Sequence, residues 1–407
     1  MFRIFLPPAG LESADKKLLL LLGVAFFVGQ YDMTVLGLAL PDIQKSFSIS
    51  EERLGKVIAI AKMGSIPALF LALLSDRVGR RSMLMFTLLG LSIATGATGF
   101  ARTAEEFIAM QFLARGFSTA EEIIAVIYVL ELLPVMHRGW GVGFLAAMGA
   151  IGAGLASLLY GAVEFLPGGW RALYVLAALP ILYLAWLRRL MPESAMFNHY
   201  VKGDTAHSFW RPFATVWSTH RGQMMAIGLI AAAFWFHLAA TMNFMSKYLQ
   251  EMHAYAPQDI SLLYIVAGAV AITGNVTAGR ISDRIGRRPT LAVGLMVNCL
   301  AVMTFYNSSG LLLPLAWIAL LFSFFAVEVM VNTISGELFP TSCRSTASTL
   351  RMIFAVLAGV AGLAVEGSLY TMLGSHAAAL SAMTLTSLLA LPIVVLALRE
   401  TSGTQLS

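Results

Sequence analysis

The chain has 407 residues, of which 58% are hydrophobic and 12% are charged, and its mean hydropathy is +0.79. A soluble fold could not hide that much apolar surface in one core, so the composition excludes a soluble protein and predicts lipid as the solvent. The net charge of +5 does not indicate a nucleic-acid-binding protein, because Arg and Lys fall mainly in short segments between apolar runs.

Apolar runs of about 20 residues predict twelve transmembrane helices, six before residue 190 and six after residue 221. Their predicted ranges are 18–41, 54–75, 82–101, 107–132, 139–163, 170–189, 222–249, 258–281, 289–308, 311–334, 345–371 and 376–398. We expect the first run to be retained as a span, because no short leader with a cleavage site precedes it. The pattern predicts an all-α membrane protein of two six-helix bundles, 1–189 and 222–407. A polar linker over 190–221 joins them, with a short surface helix around Trp210 to Trp217.

Basic residues predict the orientation in the membrane. If both termini share one side, that side collects most of the Arg and Lys of the connecting segments. The excess predicts cytoplasmic termini and a cytoplasmic linker in a plasma-membrane protein. We expect a monomer in the lipid bilayer.

Two motifs occur twice at nearly the same spacing. The segment Ser75-Asp76-Arg77-Val78-Gly79-Arg80-Arg81 returns 207 positions later as Ser282-Asp283-Arg284-Ile285-Gly286-Arg287-Arg288. The segment Glu131-Leu132-Leu133-Pro134 with Arg138 returns 206 positions later as Glu337-Leu338-Phe339-Pro340 with Arg344. Duplicated halves are typical of a transporter whose two bundles rock about a central site.

These motifs resemble the major facilitator superfamily, whose signature between helices 2 and 3 is Gly-x-x-x-Asp-Arg-x-Gly-Arg-Arg or Lys. The second copy matches from Gly279 onward, whereas the first has Ala72 at the glycine position. Pro192-Glu193-Ser194 is similar to a segment of the branch that holds sugar porters and metabolite–proton symporters. The resemblance implies the twelve-helix major facilitator fold and alternating access.

In the family, this loop network latches the halves when the cytoplasmic side is closed. The resemblance therefore implies latch residues Asp76, Arg77, Gly79, Arg80, Arg81, Gly279, Asp283, Arg284, Gly286, Arg287 and Arg288, with Glu131, Arg138, Glu337 and Arg344 as a further family motif. Alternatively the arginines only anchor the chain at a positive inner face. Asp76 and Asp283 favour the latch, because an anchor needs no acid.

Five charged residues fall well inside predicted spans of the first half, away from the span ends. Each costs a few kcal/mol at bilayer depth unless it is paired or faces water, so the cluster is a candidate site. Its members are Asp32, Lys62, Arg115, Glu121 and Glu122. Asp32 and Arg115 lie at depths that allow them to pair. That pair serves either as a structural salt bridge or in coupling and binding.

Gly29-Gln30-Tyr31-Asp32 resembles the Asp-Gly-Tyr-Asp segment of aromatic-acid proton symporters, in which the retained aspartate couples protons. The segment from Arg115 to Glu122 is similar to helix 4 of metabolite symporters. The arginine found earlier in that helix is absent, and Gln111 and Phe112 occupy the candidate positions.

Adjacent acids on a helix point about 100° apart, so either Glu121 or Glu122 lines the centre. Glu122 matches Glu328 at the 206-residue offset, which indicates either two facing acids or two remnants of one ancestral contact. His237 is either a titrating group or a hydrogen-bonded packing residue. Asn243 is a further polar candidate in the same span.

The sequence predicts a secondary transporter of a small solute, best fitted by proton symport of an organic anion. The paired glutamines of sugar porters are absent around His237, and the Gly-Pro motif of drug antiporters is absent from 149–154. A proton-coupled exporter and a solute sensor remain alternatives. No enzyme, metal, cofactor or nucleic-acid site is predicted, because no catalytic spacing, metal cluster or phosphate loop appears.

Overall fold

The computed structural model describes residues 13–133, 138–187, 210–340 and 343–401. Within these ranges the chain is almost entirely α-helical, and the predicted all-α class is confirmed. In the described residues nine stretches are helical, long and apolar enough to cross a membrane. The predicted spans 82–101, 107–132 and 170–189 are helical over most of their length but are not among the nine.

The helices before the linker follow the predicted spans, except that one span is split and the short helix after the first span was not predicted. They are α1 (Ser13–Leu38), α2 (Leu40–Phe47), α3 (Glu51–Met63), α4 (Ser65–Val78), α5 (Arg80–Thr98), α6 (Ala104–Leu132), α7 (Arg138–Gly161) and α8 (Trp170–Leu187). A 3₁₀ turn over Val163–Phe165 lies between the last two. The predicted linker 190–221 falls mostly outside the described residues, and its described part forms helix α9 (Trp210–Thr219).

The helices after the linker are longer than predicted at several ends. They are α10 (Arg221–His253), α11 (Pro257–Ile285), α12 (Arg287–Asn307), α13 (Leu312–Leu338), α14 (Arg344–Leu373), α15 (His376–Thr384) and α16 (Thr386–Leu396). Helix α10 extends four residues beyond the predicted 222–249 and ends with Ala254 in the left-handed conformation. The extension is polar, so an apolar run alone underestimates its length.

Two predicted spans are interrupted rather than continuous. The span predicted at 54–75 is split at Gly64 into α3 and α4. Pro67 explains the split, because proline lacks an N–H and its ring clashes with the carbonyl group four residues earlier, that of Met63. The span predicted at 376–398 is likewise split, at Leu385.

Packing divides the chain into two units. The first comprises Met1–Ser48 with Ile60–Thr205, and the second comprises Ile49–Ala59 with Ala206–Ser407. In the first unit α1 packs on α7, α4 and α5 pack on α6, and α5 packs on α8. In the second unit α10 packs on α14, α11 and α12 pack on α13, and α12 packs on α15 and α16. The duplicated sequence therefore appears as one packing scheme used twice.

Close backbone contact in the first unit depends on glycine. A Cβ built on Gly152 of α7 would collide with the carbonyl group of Phe27 on α1, whereas a Cβ on Gly154 would meet nothing within 4 Å. In the second unit a Cβ on Gly362 would collide with the carbonyl group of Phe236. Small residues at such positions let membrane helices approach closely.

The pair Gly152 and Gly154 gives a direct test of this packing. Gly152→Ala should destabilise the protein by about 1–3 kcal/mol, because a backbone carbonyl cannot move aside as a side chain can. Gly154→Ala should stay within about 1 kcal/mol of the parent, since alanine favours the helix. Thermal unfolding in detergent, followed by tryptophan fluorescence, measures both. Equal melting temperatures in the two variants would contradict the inferred contact.

Candidate functional site

Asp32 is a fully buried carboxylate in the membrane-spanning part of helix α1. Its Oδ1 accepts a 3.4 Å hydrogen bond from Nε2 of Gln111 on α6. Arg115, one turn further along α6, is 8% exposed and places Nη2 3.7 Å from Oδ2 of Asp32. Gln111 and Arg115 share a helix face because four residues separate them. The structure thus brings Asp32 and Arg115 together inside the first unit.

The contact between Asp32 and Arg115 is an ion pair without a hydrogen bond, because 3.7 Å exceeds the donor–acceptor range. Oδ2 of Asp32 and Nη2 of Arg115 are both buried, and neither finds a hydrogen-bond partner among the described residues. Buried polar atoms nearly always have partners. Two such atoms facing each other make this ion pair the candidate site of the first unit.

Two further charges lie near Arg115. Lys62, close to the end of α3, is near enough for the two positive charges to interact. Glu122, two turns after Arg115 on α6, interacts with it as an opposite charge. Glu122 also faces α1, since a Cβ built on Gly29 would lie 2.6 Å from its Oε1. The absence of a side chain at Gly29 leaves room for that carboxylate.

Glu121 is directed towards a different helix. It is fully buried, and its Oε2 accepts a hydrogen bond from the hydroxyl group of Thr87 on α5. Adjacent helical residues point about 100° apart, so the two acids meet α5 and α1 respectively. Glu122 is the acid beside Gly29 and Arg115.

Tyr174 is a polar neighbour of this site that the sequence did not indicate. Its hydroxyl group is buried without a hydrogen-bond partner in the described part of the chain, and it interacts electrostatically with Asp32 and Arg115. The preceding residue, Leu173, accepts a 3.0 Å hydrogen bond from Tyr31 through its carbonyl oxygen. A single tyrosine in an apolar span carries no signal of its own, and only the packing of α8 shows its position.

In the second unit, His237 is fully buried with both ring nitrogens in contact with hydrogen-bonding groups. Nε2 lies 3.3 Å from Oδ1 of Asn298, and Nδ1 lies 3.0 Å from Oγ of Ser387. Asn243, on the same helix, donates a 2.7 Å hydrogen bond to the carbonyl oxygen of Ala239. Satisfied groups of this kind favour the packing interpretation of His237.

Glu328 of α13 belongs to a polar chain within the second unit. Its Oε1 accepts a 2.7 Å hydrogen bond from Nε1 of Trp235, and its Oε2 accepts one of 3.4 Å from Asn332. Arg351 then donates to Asn332 over 2.7 Å. These hydrogen bonds supply Glu328 with two donors and connect it through Asn332 to the guanidinium group of Arg351.

The first copy of the loop motif is described in part. Gly79 has φ 103°, a backbone conformation that glycine alone adopts without strain, and it separates α4 from α5. Arg80 donates a 2.6 Å hydrogen bond to Oγ of Ser75. Arg81 is half-buried at the start of α5. Four predicted residues have side chains outside the described part of the structure, namely Asp76, Arg77, Glu131 and Arg138.

The second copy is centred on Arg287. Its guanidinium group contacts Asp283 at 2.6 Å and Oε1 of Glu337 at 3.0 Å, and Nε lies 3.3 Å from Oε2 of Glu337. Thr401 also donates to Glu337 over 2.5 Å. Gly286, with φ 102°, provides the turn that allows this arrangement. The two family motifs predicted separately thus meet in one network.

The other predicted residues of this copy lie around the network. Arg288 donates through Nε to the carbonyl oxygen of Val394 over 3.0 Å, and Arg344 donates through Nε to that of Phe339 over 3.3 Å. Arg284 is exposed. A Cβ on Gly279 would meet nothing within 4 Å, so that glycine is not required by close packing here.

Arg287 and Arg284 form a matched pair for testing the network. Arg287→Gln should destabilise the second unit by about 1–3 kcal/mol, because a partly buried bidentate ion pair is lost and Glu337 keeps an unmatched charge. Arg284→Gln should change stability by less than about 0.5 kcal/mol, as an exposed substitution does. Thermal unfolding of both variants measures the difference. An equal loss of stability in the two variants would show that the positive charge of this segment, and not the contact between Arg287 and Glu337, stabilises the second unit.

Comparisons with known proteins all find membrane transporters of one superfamily. A family model described as Major Facilitator Superfamily matches residues 22–274 and 224–406. The cis,cis-muconate transport protein of Acinetobacter baylyi is 26% identical over 80% of this chain and 80% of its own length. The proline/betaine transporter of Salmonella typhimurium is 28% identical over 82% of this chain and 73% of its own length. The crystal structure of a D-xylose-proton symporter superposes with a TM-score of 0.80 at 18% identity, over 97% of this chain and all of that one.

Proposed function

The chain belongs to the Major Facilitator Superfamily, and is thus a multi-pass membrane transporter and not an enzyme; from that premise we propose that it carries a small organic anion together with a proton by alternating access. The observation that carries the proposal is the ion pair between Asp32 and Arg115. Both side chains are buried, they lie 3.7 Å apart, and their facing atoms have no hydrogen-bond partner among the described residues.

Charge balance explains why such a pair suits the joint binding of a proton and an anion. Ionised Asp32 and Arg115 sum to zero, and the sum is unchanged when Asp32 takes a proton while Arg115 takes a carboxylate. A carboxylate alone would leave two anions at one guanidinium group. A proton alone would remove the Asp32 charge from that buried guanidinium group and leave only its interaction with Glu122, and a poorly compensated buried charge is costly. Each ligand therefore favours binding of the other.

The residues around the pair support a carboxylate as the anionic group. Guanidinium binds carboxylates through two parallel hydrogen bonds, and Nη2 of Arg115 still has its hydrogen-bonding capacity unused within the described chain. Lys62 adds positive charge nearby, and Tyr174 adds a hydroxyl group. The named solutes of two relatives, cis,cis-muconate and proline or betaine, all carry a carboxylate.

We place the protein in the plasma membrane as a monomer, with both termini and the linker in the cytoplasm. The support is the excess of Arg and Lys on the side that carries the repeated loop motif.

Uptake by purified protein in liposomes tests the proposed function. A thermal-shift screen of organic acids, including cis,cis-muconate and proline, is run beside the corresponding amides. We expect acids to stabilise the protein and amides to leave it unchanged, and the best acid to accumulate when the outside is acidic. Liposomes without protein control for passive entry of the neutral acid. Equal binding of acids and amides, or accumulation that ignores the pH gradient, would overturn the proposal.

A further inference from the structure

A second cluster of charged residues lies within the second unit, whereas Asp32 and Arg115 belong to the first. His376, the first residue of α15, places Nδ1 2.5 Å from Oε1 of Glu366 and Nε2 2.8 Å from Oε2 of Glu51. Glu51 also accepts a 3.0 Å hydrogen bond from Lys247, which contacts Glu251 at 2.5 Å. The cluster joins the first turn of α3 to α10, α14 and α15.

Three members of the cluster are buried, whereas Glu51 and Glu251 at its edge are 33% and 49% exposed. The side chain of Glu366 is 0% exposed, that of Lys247 is 2% exposed and that of His376 is 13% exposed. The His376 ring stacks on Tyr370 at 4.3 Å and contacts Phe244 at 4.9 Å between ring centres. Oε2 of Glu366 has no hydrogen-bond partner among the described residues. Charges in such surroundings must be balanced locally.

Hydrogen counting shows that this arrangement holds an additional proton. A neutral imidazole has one N–H and can donate to one carboxylate only, whereas an imidazolium donates from both nitrogens. Both nitrogens of His376 lie at hydrogen-bond distance from carboxylate oxygens. If both acids are ionised and the imidazole is neutral, one ring nitrogen directs its lone pair at a carboxylate. Both contacts of the His376 ring are favourable only if the group of His376, Glu51 and Glu366 carries one proton more than in that state.

The carboxylate of Glu51 ties that proton to the position of α3. Residues 49–59 belong to the second unit, whereas Ile60–Thr205 belongs to the first. A Cβ on Gly55 would collide with the carbonyl oxygen of Leu363, and a Cβ on Gly367 with that of Glu52, so the backbones of α3 and α14 are in close contact. Loss of the proton would remove one of the charged contacts that hold this turn in place.

We propose that His376, held between Glu51 and Glu366, is a proton-binding site that holds residues 49–59 against the rest of the second unit and acts independently of Asp32. The ligand is the proton itself. Its occupancy determines whether the first turns of α3 stay bound. Charged or titratable side chains that face the site come from every neighbouring element: Glu51 on α3, Lys247 and Glu251 on α10, Tyr306 on α12, and Glu366 and Tyr370 on α14.

Hydrogen–deuterium exchange of residues 49–59 in the full-length, ligand-free protein tests the proposal. Exchange is measured at about pH 5.5 and about pH 8.5, either side of the usual titration range of histidine, and corrected for the intrinsic rate. In the parent protein, protection should fall by about tenfold at the higher pH, the equilibrium effect of one charge-assisted hydrogen bond. Unchanged protection across this range would overturn the proposal.

Variants separate protonation from general packing. His376→Gln should give low protection at both pH values, and His376→Lys, which keeps a positive charge, should give high protection at both. His253→Gln on α10 is the matched histidine control and should respond like the parent. Asp32→Asn should also keep the response, because Asp32 belongs to the first unit and makes none of the contacts of His376. A normal pH response in His376→Gln, or a lost response in Asp32→Asn, would contradict the assignment.

Discussion

Replacing Asp32 with asparagine should abolish proton-driven accumulation while leaving downhill exchange of the solute. Coupling to one proton permits about tenfold accumulation per pH unit, since one unit corresponds to about 1.4 kcal/mol. Asparagine keeps the size of the side chain and its hydrogen bond with Gln111 but cannot exchange a proton. The accumulation ratio in the variant should therefore fall to about one at every pH gradient.

Measurement of uptake and counterflow in liposomes distinguishes lost coupling from lost transport. Asp42→Asn is the matched control, because Asp42 lies ten residues later on α2, outside the candidate site, and undergoes the same chemical change. That variant should accumulate solute as the parent does. If Asp32→Asn still concentrates solute against its gradient, the proton is carried by another group, and the charge-balance argument for the pair with Arg115 does not hold.

The sequence was sufficient for the architecture because its signals are periodic and repeated. Apolar runs of membrane length located the helices, and the repeated motifs indicated a duplication that the helix packing of the two units reproduces. The interruptions were harder to predict. Pro67 breaks a span at Gly64, yet proline also occurs inside continuous membrane helices, as Pro392 does in α16. Only the packing around each proline decides between the two outcomes.

The candidate site could be predicted in its residues but not in its contacts. Helical geometry shows that Glu121 and Glu122 point apart, whereas their neighbours Thr87 and Gly29 lie on other helices and determine which acid meets which group. Tyr174 is 142 residues from Asp32 in the chain and gave no signal.

The cluster around His376 could not be predicted from the sequence in either its residues or its contacts. Glu51 is 325 residues from His376, and each begins a helix, where polar residues are ordinary. The sequence therefore indicated neither residue as part of a site. Their proximity follows from the close approach of α3 and α14 at Gly55 and Gly367, which no local pattern encodes.

Replacing Arg115 with lysine should raise the apparent KM for an organic anion by about 10- to 100-fold, while the protein still folds. Lysine keeps the charge near Asp32 but loses the planar pair of donors that recognises a carboxylate. Arg102→Lys, at an exposed position before α6, is the control for the same substitution and should leave KM unchanged. A purely structural salt bridge predicts a different pattern. In that case Arg115→Lys would lower the melting temperature, and the folded fraction would transport with the parent's KM and an unaltered preference for acids over amides. Uptake kinetics normalised to folded protein, measured beside thermal unfolding, therefore decide whether the guanidinium group of Arg115 binds the solute or only holds Asp32 in place.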